Sequence, residues 1–134
     1  MAGTIERVLC GMISPNKLTV QEYMEGFRRS DHARILSCLT DNVEWEIPGV
    51  FHLRGKEEFD REIENDASVG SPRITVTRLT EENDVVVAEG TVQAQKREGG
   101  LLHLRYCDVF VMQDGKIREL ISYLMEVKPE RRED

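Results

Sequence analysis

The spacing of apolar residues changes once along the chain, from a helical repeat in the first half to alternation in the second. One stretch has apolar residues at i, i+3, i+4 and i+7, which together form one face of a helix: Val20, Tyr23, Met24 and Phe27. Thr19 is in position to cap the start of this helix. The pattern predicts an amphipathic helix whose apolar face covers a second layer of structure.

Two shorter helices and one strand are predicted to follow. Asp31 is a suitable N-cap for a short helix with three apolar residues: Ile35, Leu36 and Leu39. The chain then alternates, which places three apolar residues on one side of a strand: Val43, Trp45 and Ile47. Pro48-Gly49 ends this strand, and the segment up to Gly55 is predicted to be a loop. A third helix begins there, with three residues on its apolar face: Phe59, Ile63 and Ala67.

The second half of the chain is typical of an antiparallel meander. Alternation predicts four strands: Ile74–Leu79, Val85–Gln95, Leu101–Met112 and Ile117–Val127. Short turn sequences separate them, at Glu82-Asn83, Gly99-Gly100 and Asp114-Gly115. Helices followed by a meander indicate an α+β fold, and a length of 134 residues indicates a single domain over 1–134.

The last two strands are predicted to be apolar on both faces. One face of the third strand of the meander carries Leu104, Tyr106, Asp108, Phe110 and Met112, and the other carries His103, Arg105, Cys107, Val109 and Val111. In the last strand, Leu120, Ser122 and Leu124 form one set, and Ile117, Ile121 and Tyr123 form the other. Because large exposed apolar faces are rare on monomers, we expect a homodimer through the face with Cys107, Val109, Val111, Ile121 and Tyr123.

Asp108 is the one carboxyl side chain on the apolar face that we expect to pack against the helices. An ionised carboxylate is costly in such surroundings unless it is paired or hydrogen-bonded. No Lys or Arg shares the predicted face nearby. We therefore expect Asp108 to accept hydrogen bonds or to be held neutral by a raised pKa.

Composition and charge exclude several classes of partner. A net charge of -7 and a pI near 5.1 argue against nucleic acid and against a membrane surface, since either needs a basic face. The three cysteines are widely spaced, and the histidines form no cluster with metal-ligand spacing, so neither a disulfide frame nor a metal site is expected. We find no glycine-rich phosphate loop and expect no cofactor. The chain also lacks a leader pattern, and we expect a cytoplasmic protein.

Two separated stretches, Tyr23 to Gly55 and Tyr106 to Val127, together resemble the NTF2-like superfamily, in particular its SnoaL-like and ketosteroid-isomerase-like branch. Tyr23 lies eight residues before Asp31, and Asp108 precedes the last turn of the meander, as the two oxyanion-hole residues of the isomerase do. The resemblance spans roughly residues 18 to 127. It implies a cone-shaped fold, with three helices packed on a curved and mainly antiparallel sheet around a pocket for a small hydrophobic molecule.

The resemblance also implies the residues of the site. Tyr23 and Asp108 correspond to an oxyanion hole, but the position of the isomerase base is Ile47, directly before Pro48. His52, in the predicted loop at the pocket mouth, is the best substitute for that base because its pKa is normally near neutrality. The expected pocket wall consists of Phe27, Trp45, Ile47, Tyr106, Phe110, Leu120, Ser122 and Leu124.

Two functions stay open at this point. The first is an isomerase or cyclase that acts on a hydrophobic carbonyl or phenolic ligand through Tyr23 and Asp108. The second is a ligand-binding or protein-interaction domain of the same fold without catalysis, in which Tyr23 is a core residue and His52 a surface residue. Epoxide hydrolases of this fold are less similar, since they have an arginine at the position of Tyr106.

Overall fold

The computed structural model describes residues 13–64 and 68–128, with the backbone alone described at residues 68 and 69. The elements in chain order are α1 (Pro15–Arg28), α2 (His32–Ser37), β1 (Leu39–Ile47), β2 (Phe51–Arg54), α3 (Gly55–Glu62), β3 (Ser68–Glu82), β4 (Val85–Lys96), β5 (Leu101–Gln113) and β6 (Lys116–Glu126). The predicted α+β fold, with three helices on a curved sheet, is confirmed. Ala67, expected on the face of α3, lies outside the described residues. None of the described helices is long and apolar enough to cross a membrane.

Helix α1 begins earlier than the sequence pattern predicts. Its N-cap is Ser14, whose side chain accepts a hydrogen bond from the backbone N–H of Lys17, and Pro15 occupies the first helical turn. Proline suits that place because its φ is already helical and its missing N–H needs no partner there. The prediction of Thr19 as the cap is therefore wrong. The Thr19 hydroxyl instead donates to the carbonyl of Gly115 at 2.6 Å, which ties α1 to the turn between β5 and β6.

The segment predicted to be a loop after Pro48 is in fact a hairpin. The Val50 N–H donates to the Ile47 carbonyl at 2.8 Å, and Gly49 has a positive φ of 80°, which closes a tight turn. β2 then pairs antiparallel with β1, with Ile47 opposite Phe51. Asp31 caps α2 as predicted, but α2 ends before Leu39, which is the first residue of β1.

One six-stranded sheet has the order β2-β1-β6-β5-β4-β3. All neighbouring strands are antiparallel except β1 and β6, which run parallel, with Trp45 opposite Leu120. The β5–β6 turn has φ values of 51° at Asp114 and 77° at Gly115, a conformation that favours Asp-Gly in tight hairpins. The β3–β4 turn falls at Asn83-Asp84, one residue later than predicted, because β3 continues to Glu82.

The helices cover the inner face of the sheet and form the core with it. Val20 of α1 and Phe59 of α3 are buried together with inward residues of β4 and β5 such as Val86 and Phe110. Most strand faces follow the predicted alternation, but Ile117, which was assigned to the outer face, is fully buried. A register shift between β5 and β6 pairs Met112 with Ile117, and this bulge turns the side chain of Ile117 inward.

Candidate functional site

Between the helices and the inner face of the sheet lies a cavity of about 860 Å³. The sequence-predicted residues that line it are Tyr23, Phe27, Trp45, Ile47, Tyr106, Asp108, Ser122 and Leu124. They come from α1, β1, β5 and β6, which the sheet order places next to one another. The structure thus brings the two proposed donors, Tyr23 and Asp108, to the same cavity.

Asp108 is the buried acid of this cavity. Its side chain is 9% exposed and belongs to the central strand β5. Burial raises the pKa of Asp108 to about 7, and a hydrogen bond from Ser122 to the carboxylate opposes part of that rise. Among the described residues, no cation compensates its charge. Asp108 therefore changes its protonation state close to neutral pH.

Tyr23 lines the cavity, and its ring packs against other aromatic rings. Its ring centroid lies 5.0 Å from that of Phe27 and 5.3 Å from that of Phe110. Burial, and after it the charge of Asp108, raises the pKa of Tyr23 well above its usual value. No hydrogen bond joins the Tyr23 hydroxyl to another described residue, whereas every fully enclosed polar side-chain atom in the described parts has a partner. The hydroxyl is therefore a protonated donor that is open to the cavity.

Ser122 connects Asp108 to the indole of Trp45. Asp108 and Ser122 are directly opposite each other on β5 and β6, and both are buried. The Trp45 indole N–H donates to the Ser122 hydroxyl oxygen at 3.0 Å. Since β1, β6 and β5 are adjacent strands, the inward side chains of Trp45, Ser122 and Asp108 lie side by side across them.

Tyr106 has a polar partner of its own within the sheet. Its hydroxyl donates to the backbone carbonyl of Thr75 at 3.3 Å, and burial raises its pKa to about 12. The hydroxyl occupies space above Gly90, where a Cβ atom would lie only 2.7 Å from it. Tyr106 therefore contributes mainly its ring to the cavity wall.

Three residues assigned to the site by sequence lie elsewhere. Phe110 and Leu120 are fully buried in the core and do not line the cavity, because the helices pack directly on this end of the sheet. His52 is on β2, where it alternates with cavity-facing Phe51 and points to the opposite side. Its Nε2 atom lies 2.9 Å from a carboxylate oxygen of Glu44. The expected replacement for the isomerase base is therefore not in the cavity.

Sequence reasoning missed one wall and the rim of the cavity. The far wall is formed by inward residues of β3, β4 and β5: Ile74, Val92, Ala94, Leu102 and Leu104. Their alternation in the sequence was a sufficient signal for the strand face, but it did not reveal that the helices leave this end uncovered. The rim carries charged side chains: Glu62, Glu64, Lys96 and Arg97. Tyr123, predicted on the outer face, also borders the opening. No group of potential metal ligands occurs within the described ranges.

Comparisons with known proteins agree with this geometry. The sequence profile of the SnoaL-like domain matches residues 20–120. No curated protein sequence matches the chain. Among solved structures, TerC co-crystallised with polyporic acid is similar with a TM-score of 0.74 and 25% identity, over 81% of this chain and 90% of TerC.

Two further structures share the fold at lower identity. An LEH-like epoxide hydrolase from M. tuberculosis has a TM-score of 0.73 and 17% identity, over 83% of each chain. A putative ketosteroid isomerase from Kribbella flavida has a TM-score of 0.68 and 16% identity, over 89% of this chain and 84% of its own. At these identities the similarity concerns the fold, which proteins with different activities share.

Proposed function

Because the chain belongs to the SnoaL-like domain family, we propose that it binds a small hydrophobic molecule with a carbonyl or phenolic oxygen in the cavity that contains Asp108. The observation that supports this most directly is a buried carboxyl, that of Asp108, which shares a cavity with the unpartnered hydroxyl of Tyr23. Unpaired polar groups in an apolar cavity are costly for the fold, and a ligand oxygen provides the partner they lack.

Tyr23 and Asp108 act in this proposal as two donors to one ligand oxygen. Tyr23 stays protonated at all physiological pH values because its pKa is raised. Asp108 is protonated below a pH of about 7 and then donates as well. Two donors in a site of low polarity stabilise the negative charge that develops on the oxygen of an enolate or phenolate.

The chemistry that suits this site is isomerisation or cyclisation of a carbonyl compound. A general acid is most effective when its pKa is close to the working pH, and the pKa of Asp108 meets this condition. In such a step Asp108 donates its proton to the ligand oxygen while a water molecule takes a proton from the neighbouring carbon, which forms the enol. The proton taken by water returns to the Asp108 carboxylate, so the protein ends in its starting protonation state. Water is the base here because Ile47 occupies the position of the isomerase base.

The cavity wall favours a flat aromatic ligand. Phe27, Trp45 and Phe51 all line the cavity, and the rings of Trp45 and Phe51 meet edge to face at 5.1 Å. TerC, which is similar over most of this chain, was co-crystallised with polyporic acid, and we propose this compound as the first ligand to test.

The second candidate function is ligand binding without turnover. It is favoured by the placement of His52 outside the cavity and by the absence of a basic side chain next to Asp108 within the described parts of the chain. Both functions require the same binding mode. They differ only in whether Asp108 transfers its proton during a chemical step.

Quenching of tryptophan fluorescence tests the binding mode, since Trp45 is the only tryptophan of the chain and lines the cavity. We expect saturable quenching by polyporic acid at pH 6. Tyr23→Phe removes one donor and weakens binding about two- to tenfold, Asp108→Leu weakens it about tenfold, and Asp108→Asn preserves it because an amide still donates. Asp41→Asn is the matched control, because the Asp41 side chain is fully exposed.

Unchanged affinity in both Tyr23→Phe and Asp108→Leu would contradict the proposed binding mode. Turnover is tested separately, by following the conversion of carbonyl ligands that bind. An enzyme loses conversion in Asp108→Asn although it still binds, whereas a binding protein shows no conversion in either form.

A further inference from the structure

The side chain opposite Asp108 on the neighbouring strand is a hydroxyl that has a hydrogen-bond donor of its own. Ser122 accepts the indole N–H of Trp45 at 3.0 Å and is the direct cross-strand partner of Asp108. Trp45 and Ser122 are both less than 9% exposed. Groups buried to this extent depend on protein partners for their hydrogen bonds.

The direction of this chain of hydrogen bonds follows from the donor inventory. An indole N–H only donates, so the Ser122 oxygen must accept from it, and the Ser122 hydrogen is left for another acceptor. Asp108 faces Ser122 directly across the β5–β6 pair and is buried with it, so its carboxyl is the acceptor that the arrangement offers. Packing restricts rotation of the Trp45 side chain. Its ring is stacked on that of Phe59, with 4.6 Å between the ring centroids, and it meets the ring of Phe51 edge to face.

We propose that Trp45 and Ser122 are positioning residues, which fix the carboxyl oxygen of Asp108 that carries the proton. One oxygen accepts from Ser122 and is disfavoured for protonation. The proton therefore resides on the other oxygen, which is the one available to a ligand in the cavity. This inference rests on the proposed function only for the role of that second oxygen. The relay, which consists of the hydrogen bond from Trp45 to Ser122 and the pairing of Ser122 with Asp108, is present without any ligand.

Titration of the Asp108 carboxyl by carbon-detected NMR, without ligand, tests the relay. Ser122→Ala removes the hydrogen bond to the carboxylate, and we expect the pKa of Asp108 to rise by about one unit. Ser122→Thr keeps a hydroxyl and should retain a pKa near that of the unmodified protein. Trp45→Phe keeps an aromatic ring but loses the N–H, and we expect a smaller rise of a few tenths of a unit.

A double-mutant cycle separates the relay from two independent effects. If Trp45 acts through Ser122, Trp45→Phe shifts the pKa of Asp108 when Ser122 is present and leaves it unchanged when position 122 is alanine. Equal shifts in both backgrounds would overturn the proposal. So would an unchanged pKa in Ser122→Ala, or a rise in Ser122→Thr as large as that in Ser122→Ala, which would assign the effect to packing.

Two controls keep the result interpretable. Ser37→Ala removes an exposed hydroxyl that donates to the Arg34 carbonyl, and it should leave the titration of Asp108 unchanged. Near-ultraviolet circular dichroism establishes that each variant is folded, and if Ser122→Ala does not fold, the pair Trp45→Phe and Ser122→Thr carries the test. Because no ligand is present, failure of the relay and failure of the proposed binding mode give different results.

Discussion

Replacing Asp108 by asparagine should make the protein more stable at neutral and alkaline pH. Asparagine has the shape of the neutral acid and no charge at any pH, so it removes the cost of ionising a buried group. The pKa of Asp108 is raised from 3.8 to about 7 by burial, against the effect of the hydrogen bond from Ser122. The folded state thus binds the proton of Asp108 more tightly than the unfolded state does.

The size of the effect follows from this difference between folded and unfolded pKa. Between a pH of about 4 and a pH of about 7, the folded protein holds a proton that the unfolded chain has lost, so stability falls as the pH rises. The fall begins near the unfolded value and levels off above the folded one. A shift of about three units corresponds to about 4 kcal/mol of unfolding free energy, with each unit worth about 1.4 kcal/mol.

Urea unfolding of the unmodified protein and of Asp108→Asn, measured in parallel from pH 4 to pH 8.5, provides the assay. The other titrating groups contribute equally to both proteins, so the difference between the two curves isolates Asp108. We expect Asp108→Asn to gain about 4 kcal/mol relative to the unmodified protein between the two ends of this range. A difference that stays constant with pH, or that changes in the opposite direction, would refute the assignment of a raised pKa to Asp108.

Three further predictions concern other parts of the molecule. We propose a homodimer through the outer face of β5 and β6, and Val109→Asp should dissociate it because an unpaired ion in an interface core costs several kcal/mol. A monomeric unmodified protein in light scattering would contradict this. Gly90→Ala should destabilise the fold by about 3 kcal/mol, since the added Cβ would lie 1.8 Å from the Thr75 carbonyl oxygen. Thermal unfolding measures this loss, and an unchanged melting temperature would count against the contact. His32 bridges the carboxylates of Asp60 and Glu64, and these hydrogen bonds raise the pKa of His32. His32→Gln should therefore lower the free energy of unfolding by about 0.5 kcal/mol at pH 5.5, and by less at pH 9, where the imidazole of the unmodified protein is neutral. An equal loss at both pH values would argue against an ion pair.

Features set by local periodicity could be predicted from the sequence. The NTF2-like, SnoaL-like assignment is confirmed, as is the inward face of β5, because alternation along one strand depends only on that strand. The cap at Asp31 is equally local, since the side chain bonds a backbone N–H three residues later. Asp108 stood out for the same reason, as a carboxyl on an otherwise apolar strand face.

Features that depend on how strands meet could not be predicted. The bulge that turns Ile117 inward is visible only in the pairing of β5 with β6. The turn after Pro48 creates a short strand and fixes the outward direction of His52, whereas the sequence alone is equally compatible with a loop. The bond between Trp45 and Ser122 joins strands at opposite ends of the chain, and no spacing rule connects them.

The parallel pairing of β1 with β6 has a consequence for how the site comes into being. Trp45 and Ser122 are 77 residues apart in the chain and become neighbours only when the last strand docks beside the first. During synthesis the helices and the first strands emerge from the ribosome long before their partner strand exists. Contacts between such distant segments form late and slowly because closing the long loop costs entropy. The surroundings of Asp108 are therefore completed only in the final stage of folding. A nascent chain without β6 contains Asp108 but lacks its cross-strand partner, Ser122.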